Sequence, residues 1–394
     1  MIDSTITSRT GGEILVDQLV VQGVERIFCV PGESYLAVLD ALYDRRIDVI
    51  ACRAEGGAAM MAEAYGKLVG SPGICFVTRG PGATNACHGV HIAAQDSTPM
   101  ILFIGQVDRA MREREAFQEI DYKAMFGSIA KWVVEIDRAE RIPELIARAF
   151  RIAMQGRRGP VVVSLPEDML TEIRTVRDAP VIVPAKSWPA PSDMARLQVL
   201  LSLAHRPIAI VGGSGWDATA SADMADFSQR SEVPVATSFR RTSLFPGDHP
   251  NYAGDLGIGP NPRLKARVEN ADLILLVGGR LSETSSSSYT LLQIPTPRQK
   301  LIHVYPGAEE LGRVYQPEIA IQASPSTFCA ALKDLVIRQR PGWKSEVAQA
   351  HAAYLDWSDT PRNLPGAFQY GNAIRWLNDR LPDDTIICLS LIHI

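Results

Sequence analysis

The stretch that decides the fold is "IDVIACRAEGGAAMMAEAYGKLVGSPGICFVT", residues 47–78. It opens on an apolar run, "IDVIAC", that reads as a buried strand. It passes through a helix of small residues and returns to a second apolar run, "GICFVT". Neither run alternates apolar with polar residues, so each reads as a strand covered on both faces. Such strands separated by amphipathic helices indicate a parallel sheet covered on both faces. A carboxylate, Glu55, stands where the first strand ends and the helix begins, amid Gly56, Gly57, Ala58 and Ala59. An acid there either complements the helix dipole or serves a ligand at the carboxyl edge of the sheet, where open parallel sheets bind them.

The same alternation runs outward in both directions. Helix-like "GGEILVDQLVVQGV" leads to "RIFCV", and "SYLAVLDALYDRR" leads to "IDVIAC". Downstream, "ATNACHGVHIAAQD" precedes "PMILFIG", and "IPELIARAFRIAMQ" precedes "PVVVSLP". The fold class expected is therefore α/β, built from tandem doubly wound parallel-sheet domains. The first occupies residues 1–170. Residues 171–192 form a linker with the proline-rich "DAPVIVPAKSWPAPSD", expected to be extended on the surface. A second, Rossmann-like unit covers 193–340, with the strands "RPIAIVGG", "EVPVATS", "ADLILLVGG", "KLIHVY" and "EIAIQA". Residues 341–366 read as a second linker. Residues 367–394 open a third unit with the helix "GNAIRWLNDRL" and the strand "DTIICLS". One helix and one strand do not make a core, so this third domain is expected to be cut off. The tail "LSLIHI" has the look of foreign sequence.

Composition narrows the function classes. The chain has 394 residues, 46% hydrophobic and 21% charged, with a net charge of −4. That balance gives no pull toward nucleic acid or anionic membrane. No apolar run is long enough to span a bilayer, and the first residues carry no basic-then-apolar signal pattern. The six cysteines form no CxxC pair and read as reduced core residues, as in a cytoplasmic protein.

Several motifs fall at strand ends. "VPGE", 30–33, places Pro31-Gly32 in a turn after a strand, either an ordinary turn or a ligand loop. In "TRGPGATN", 78–85, Gly80, Pro81 and Gly82 let a ligand approach the backbone, and Thr84 or Asn85 is a candidate cap for the next helix. No Gly-Lys-Ser/Thr follows, so this is not a Walker A loop. "VGGSGW", 211–216, is a partial dinucleotide fingerprint that reads first as tight-turn packing. His88 and His91 lie three apart on one helix with no third ligand in view, which favours packing over metal binding, and no metal site is assigned. No GxSxG elbow occurs, and "TSSSSY", 284–289, reads as a polar loop.

Taken in order, "GVERIFCVPG", "RAEGGAAMMAEAYG", "TRGPGATN", "DSTPMILFIGQV", "AFQEID" and "GRRGPVVVSLPEDM" resemble the thiamine-diphosphate-dependent family of acetolactate synthase and its 2-keto acid decarboxylase relatives. The resemblance is dense over 12–170 and looser over 190–335. It implies a pyrimidine-binding domain, then a central Rossmann-like domain, then a diphosphate-binding domain. It also implies thiamine diphosphate and Mg2+ as cofactors, a small 2-keto acid as substrate, and a homodimer or homotetramer. The family's catalytic glutamate falls on Glu55, where a carboxyl in an apolar niche bonds N1′ of the aminopyrimidine. Pro31 and Gly32 match the turn beside the pyrimidine. Gly80, Pro81, Gly82 and Asn85 match the Gly-Pro-Gly loop, and Gln118 matches a glutamine facing the reacting centre.

The chain departs from the family pattern at some positions. Ala54 stands where the family has His before the glutamate, and Glu33 stands where a second Gly often follows Pro-Gly. The Asp-x-Asp near the flavin adenine site of synthases is replaced by Tyr305 and Gly307 in "HVYPGAEE", which weighs against FAD. The Gly-Asp-Gly…Asn stretch that binds Mg2+ is expected in the third domain. The reading is thus an acetolactate synthase-like carboligase, inactive as the fragment alone. The alternatives are a non-oxidative 2-keto acid decarboxylase or another carboligase of the family. From other classes come a nicotinamide-dependent oxidoreductase and a non-catalytic binding subunit.

Overall fold

The computed structural model describes residues 8–337, 343–359, 364–382 and 384–387. The described residues form two six-stranded parallel sheets and one small antiparallel pair.

The first sheet is built from β2 (Arg26–Cys29), β3 (Asp48–Ala51), β4 (Gly73–Val77), β5 (Met100–Gln106), β6 (Trp132–Glu135) and β7 (Pro160–Pro166), in the order β3-β2-β4-β5-β7-β6. Helices α1 (Gly11–Val21), α2 (Leu36–Leu42), α3 (Glu55–Val69), α4 (Gly80–Asp96), α5 (Tyr122–Phe126), α6 (Ile142–Met154) and α7 (Glu167–Thr171) accompany it. They divide its core in two. Ile14, Leu19, Leu145 and Phe150 pack with Phe76 and Phe103 on one face, while Ala58, Ala62, Ala86 and Val90 pack with Cys75 and Leu102 on the other. Local signals set the helix ends. Thr10 and Glu13 form a reciprocal capping box at the start of α1, with N···O distances of 2.7 and 3.2 Å. Gly70, at φ 72°, closes α3 in the left-handed conformation that only glycine adopts freely.

The antiparallel pair joins β1 (Ser8–Thr10) to β8 (Ile173–Thr175) and ties the chain leaving the first domain back to its start. Beyond it, the expected linker is extended and pinned to α1, as Gln18 and Gln22 bond the backbone at 179, 180 and 182.

The second sheet has the order β11-β10-β9-β12-β13-β14. Its strands are β9 (Pro207–Val211), β10 (Val235–Ser238), β11 (Tyr252–Leu256), β12 (Leu273–Val277), β13 (Lys300–Tyr305) and β14 (Ile319–Gln322). Helices α8 (Pro191–Leu203), α9 (Ala218–Ser231), α10 (Pro262–Asn270), α11 (Pro325–Leu332) and α12 (Trp343–Asp359) pack around it, and α13 (Tyr370–Asn378) follows with no buried residue.

Five details differ from the sequence reading. Strand β3, expected to be buried, is exposed at all four positions, because it is the sheet edge and pairs only with β2. Gly80, Pro81 and Gly82 are the first turn of α4 rather than a loop before it. Proline fits there because a first-turn N–H has no partner within the helix. Neither Thr84 nor Asn85 caps α4. The Thr84 hydroxyl donates to Pro81 O, and Asn85 reaches α3 instead. Much of the stretch 341–366, read as a linker, is α12. Trp343, Val347, Ala350 and Tyr354 give it one apolar stripe, with Trp343 fully buried and Tyr354 edge-on to Tyr252 at 4.7 Å. Residues 384–387 of "DTIICLS" form no strand, and residues 388–390 lie outside the described residues, as does the tail "LSLIHI". The serine loop carries unusual backbone, since Ser287, Ser288 and Tyr289 all have positive φ.

Candidate active site

The order of the first sheet reverses between β2 and β4, so the crevice outside their carboxyl ends is where an open α/β sheet binds a ligand. The segments that leave those two strands carry Pro31-Gly32 and Gly80-Pro81-Gly82, and β3 beside them delivers Glu55.

Glu55 is the first residue of α3 and is half-buried. Its Oε2 accepts a hydrogen bond from Asn85 Nδ2 at 3.1 Å. The two side chains meet because α3 and α4 pack closely through small residues. A side-chain carbon on Gly89 would lie 2.5 Å from Ala59 Cβ, so the helices could not be this near with anything larger there. Gly82 flanks the carboxyl group. A carbon added to it would sit 3.1 Å from Thr78 Cγ2 and 3.7 Å from Glu55 Oε1. The absent side chain therefore leaves one face of the acid reachable.

Gly32 abuts Thr78, and a carbon there would come within 2.6 Å of Thr78 Cβ. Thr78 Oγ1 and Ser34 Oγ are 2.9 Å apart, which ties the Pro31-Gly32 turn to the end of β4. Tyr35 donates to Val30 O, and burial pushes its phenol pKa well above the ordinary value. Pro31 itself is exposed.

Gln118 is brought to this region by its backbone. Its φ is 66°, and its carbonyl accepts from Gly80 N at 3.0 Å at the start of α4. A carbon added to Gly80 would lie 2.8 Å from that carbonyl. Residues the sequence reading did not single out hold the loop. Buried Gln106, at the end of β5, donates to Ile120 O at 3.0 Å. Glu119 accepts from Glu113 N at 2.9 Å and Ala116 N at 3.3 Å, and these bonds hold its carboxyl below the usual range. Arg79 reaches Glu167 at 2.7 Å. Glutamine at a strand end and glutamate amid turn residues are weak signals by themselves, so only the fold exposes these roles.

His88 packs its ring against Gly56, where a side chain would overlap it. Both His88 and His91 are exposed, and among the described residues no group of three or more His, Cys, Asp or Glu side chains could hold a metal.

One carboxyl held through Oε2 by an amide, with Oε1 free beside Gly82, has the chemistry to bond an aminopyrimidine nitrogen. The comparisons with known proteins agree with that chemistry. Residues 9–125 match the thiamine pyrophosphate enzyme N-terminal TPP-binding domain, and residues 194–332 match the thiamine pyrophosphate enzyme central domain. The chain belongs to the thiamine pyrophosphate enzyme family, and thiamine pyrophosphate is the cofactor that membership implies.

Within that family the chain is acetolactate synthase-like. It is 28% identical to the acetolactate synthase isozyme 2 large subunit of Escherichia coli, over 96% of this chain and 67% of that one. It is 32% identical to the isozyme 1 large subunit of the same organism, over 88% and 61%. Against the acetolactate synthase of Bacillus subtilis it is 30% identical, over 82% and 57%. The chain thus spans about three fifths to two thirds of the length of these curated relatives.

Proposed function

We propose that this chain supplies the pyrimidine side of a thiamine pyrophosphate site in an enzyme that decarboxylates a 2-keto acid and joins the product to a second 2-keto acid. The observation that carries this reading is the Glu55 carboxyl at the sheet's switch point, bonded to Asn85 at 3.1 Å and left open by Gly82. When bound, the cofactor supplies the electron sink for decarboxylation. The work of the chain is to bind, orient and move a proton. Glu55 exchanges a proton with the ring nitrogen N1′ of the aminopyrimidine. Asn85 fixes the carboxyl rotamer by holding Oε2 and leaves Oε1 for the ring. Gly32 lets the Pro31-Gly32 turn close against Thr78, and Gly82 leaves room beside Oε1 for the ring. Gly80 and Pro81 start α4, whose end dipole favours negative charge nearby. Gln118, anchored through Gly80, is assigned to the side of the reacting carbon.

The diphosphate and its Mg2+, a cation that takes oxygen ligands, are assigned to residues other than those described, a reading supported by the lack, among the described residues, of any group of three or more His, Cys, Asp or Glu side chains that could hold a metal. On this reading residues 1–170 are the pyrimidine domain and 193–340 the central domain. We assign the active form to a homodimer or homotetramer. Support comes from the apolar side chains left exposed on β3 and α3, with Val49 at 41%, Met60 at 43% and Leu68 at 86% exposure. The cytoplasm is the proposed compartment, supported by the five cysteines among the described residues, all free and three of them buried. No helix among the described residues is long and apolar enough to cross a membrane.

The test is product analysis with pyruvate on the protein that carries this chain, wild type against Glu55→Gln. Acetolactate formed by the wild type and lost in the variant is the expected result. Free aldehyde alone would replace the carboligase reading with a simple decarboxylase, and no consumption of any 2-keto acid would overturn both.

A further inference from the structure

The central sheet has its own switch point, between β9 and β12, and the flavin of synthase relatives would be expected there. The residues present do not fit it. The glycine loops that leave the two strands press on each other. A side-chain carbon on Gly213 would overlap Gly278 O, and one on Gly212 would come within 3.3 Å of Gly279 Cα. The Trp216 indole lies across them, donating to Gly212 O at 2.8 Å. A cavity of about 80 Å³ is left, bounded by Gly213, Gly279, Arg241 and Arg280. Ligand pockets usually measure about 300–1,000 Å³. A larger cavity of about 550 Å³ lies on the other side of the β9 glycine loop, lined there by Ser214 and Gly215 and by Lys186, Pro306 and Ser324. The β13 end, where an acid would bind ribose hydroxyls, carries buried Tyr305.

What fills the crevice is the end of α4. The last carbonyls of a helix have no partner within it and carry the negative end of its dipole. Here three of them meet three guanidinium groups. Ala94 O accepts from Arg157 at 2.7 Å, Gln95 O from Arg280 at 2.8 Å and Asp96 O from Arg241 at 3.0 Å. The Asp96 carboxylate adds ion pairs to Lys67 and, at 3.5 Å, to Arg240. These cations hold its carboxyl below the usual range against the opposing effect of burial. Arg241 and Arg280 are buried enough that desolvation lowers their pKa values, so each needs the carbonyl it has found.

We propose that the nucleotide crevice of the central domain has become a cap for the carboxyl end of α4, closed by Arg241 and Arg280, and that it takes no flavin dinucleotide. The other end of the same helix carries Gly82 and Asn85. The central domain thereby steadies the Glu55 site through α4, acting as a positioning device. The inference does not depend on which reaction the site performs.

FAD is the probe, added to the purified protein that carries this chain. No flavin absorption band as isolated, and no saturable quenching of FAD fluorescence even in large excess, are expected. A stoichiometric flavin retained through gel filtration would overturn the proposal. The cap is tested separately with the double variant Arg241→Ala, Arg280→Ala. Amide exchange near the end of α4, at residues 94–98, should accelerate about tenfold or more, and the unfolding midpoint should fall by several degrees. Wild-type exchange and an unchanged midpoint would refute the cap.

Discussion

Glu55 shows how much a single position can carry. The same acid at the first turn of any helix would be an ordinary complement to the dipole. What changes its meaning is the missing side chain at Gly82 and the amide of Asn85 at 3.1 Å. Gly82→Ala should therefore leave the fold in place, since alanine suits a helix, but push a methyl into the path of the ring. We predict about a tenfold loss in affinity for thiamine pyrophosphate, near 1.4 kcal/mol, read by titration calorimetry. Unchanged affinity would mean that the ring does not pass Gly82. A second residue, Asp255 at the end of β11, gives a pH prediction. Burial raises its carboxyl from 3.8 to about 6, against the hydrogen bond from Thr237. Between those values the folded state holds a proton that the unfolded chain has released, so stability falls as pH rises through this window and stays lower above it. Asp255→Asn should raise the unfolding midpoint at about pH 8 and leave it nearly unchanged at about pH 4. Circular dichroism melts at the two pH values check this, and equal shifts at both would contradict it.

Among the elements, α3 and α4 are the pair on which the site depends. Gly89→Val, set against Ala59, should force them apart and cost about 1–3 kcal/mol in urea unfolding, and it should loosen the Asn85–Glu55 bond with it. A neutral effect would show that the helices are not locked at that contact. The elements also show what a sequence discloses. Apolar runs such as "PMILFIG" and "ADLILLVGG" announce buried parallel strands because both faces must be covered. Strand β6, "WVVE", and strand β11, "YAGDL", escape notice. The first is half-buried between polar neighbours. The second carries Gly254 at φ 111° and an aspartate, residues that signal turns. Helix α12 escapes because its apolar stripe is thin and polar residues surround it. The exposure of β3 is invisible for a different reason, since edge position belongs to the sheet and not to the strand. The candidate site divides the same way. Glu55, Gly32 and Gly80–Gly82 are legible at strand ends. The Asn85–Glu55 bond and the grip of Gln106 on the 116–121 loop depend on how helices and strands pack, which no local pattern reports.

At the scale of the molecule, two sheets share one helix. Its start frames Glu55 and its end is seated in the central domain, so domain packing and site geometry are one problem. The central domain is itself closed by Trp343, fully buried with its Nε1 donating to Ala204 O at 3.1 Å. Trp343→Ala should cost about 3–5 kcal/mol, seen as a lowered midpoint in scanning calorimetry, and a wild-type midpoint would remove α12 from that domain's core. The central claim is that Glu55 exchanges a proton with the aminopyrimidine of bound thiamine pyrophosphate. Hydrogen–deuterium exchange at the thiazolium C2 tests it most directly, in the protein that carries this chain. The account predicts that Glu55→Gln slows that exchange by about a hundredfold or more while cofactor affinity changes little. Exchange at the wild-type rate, with cofactor bound, would contradict it.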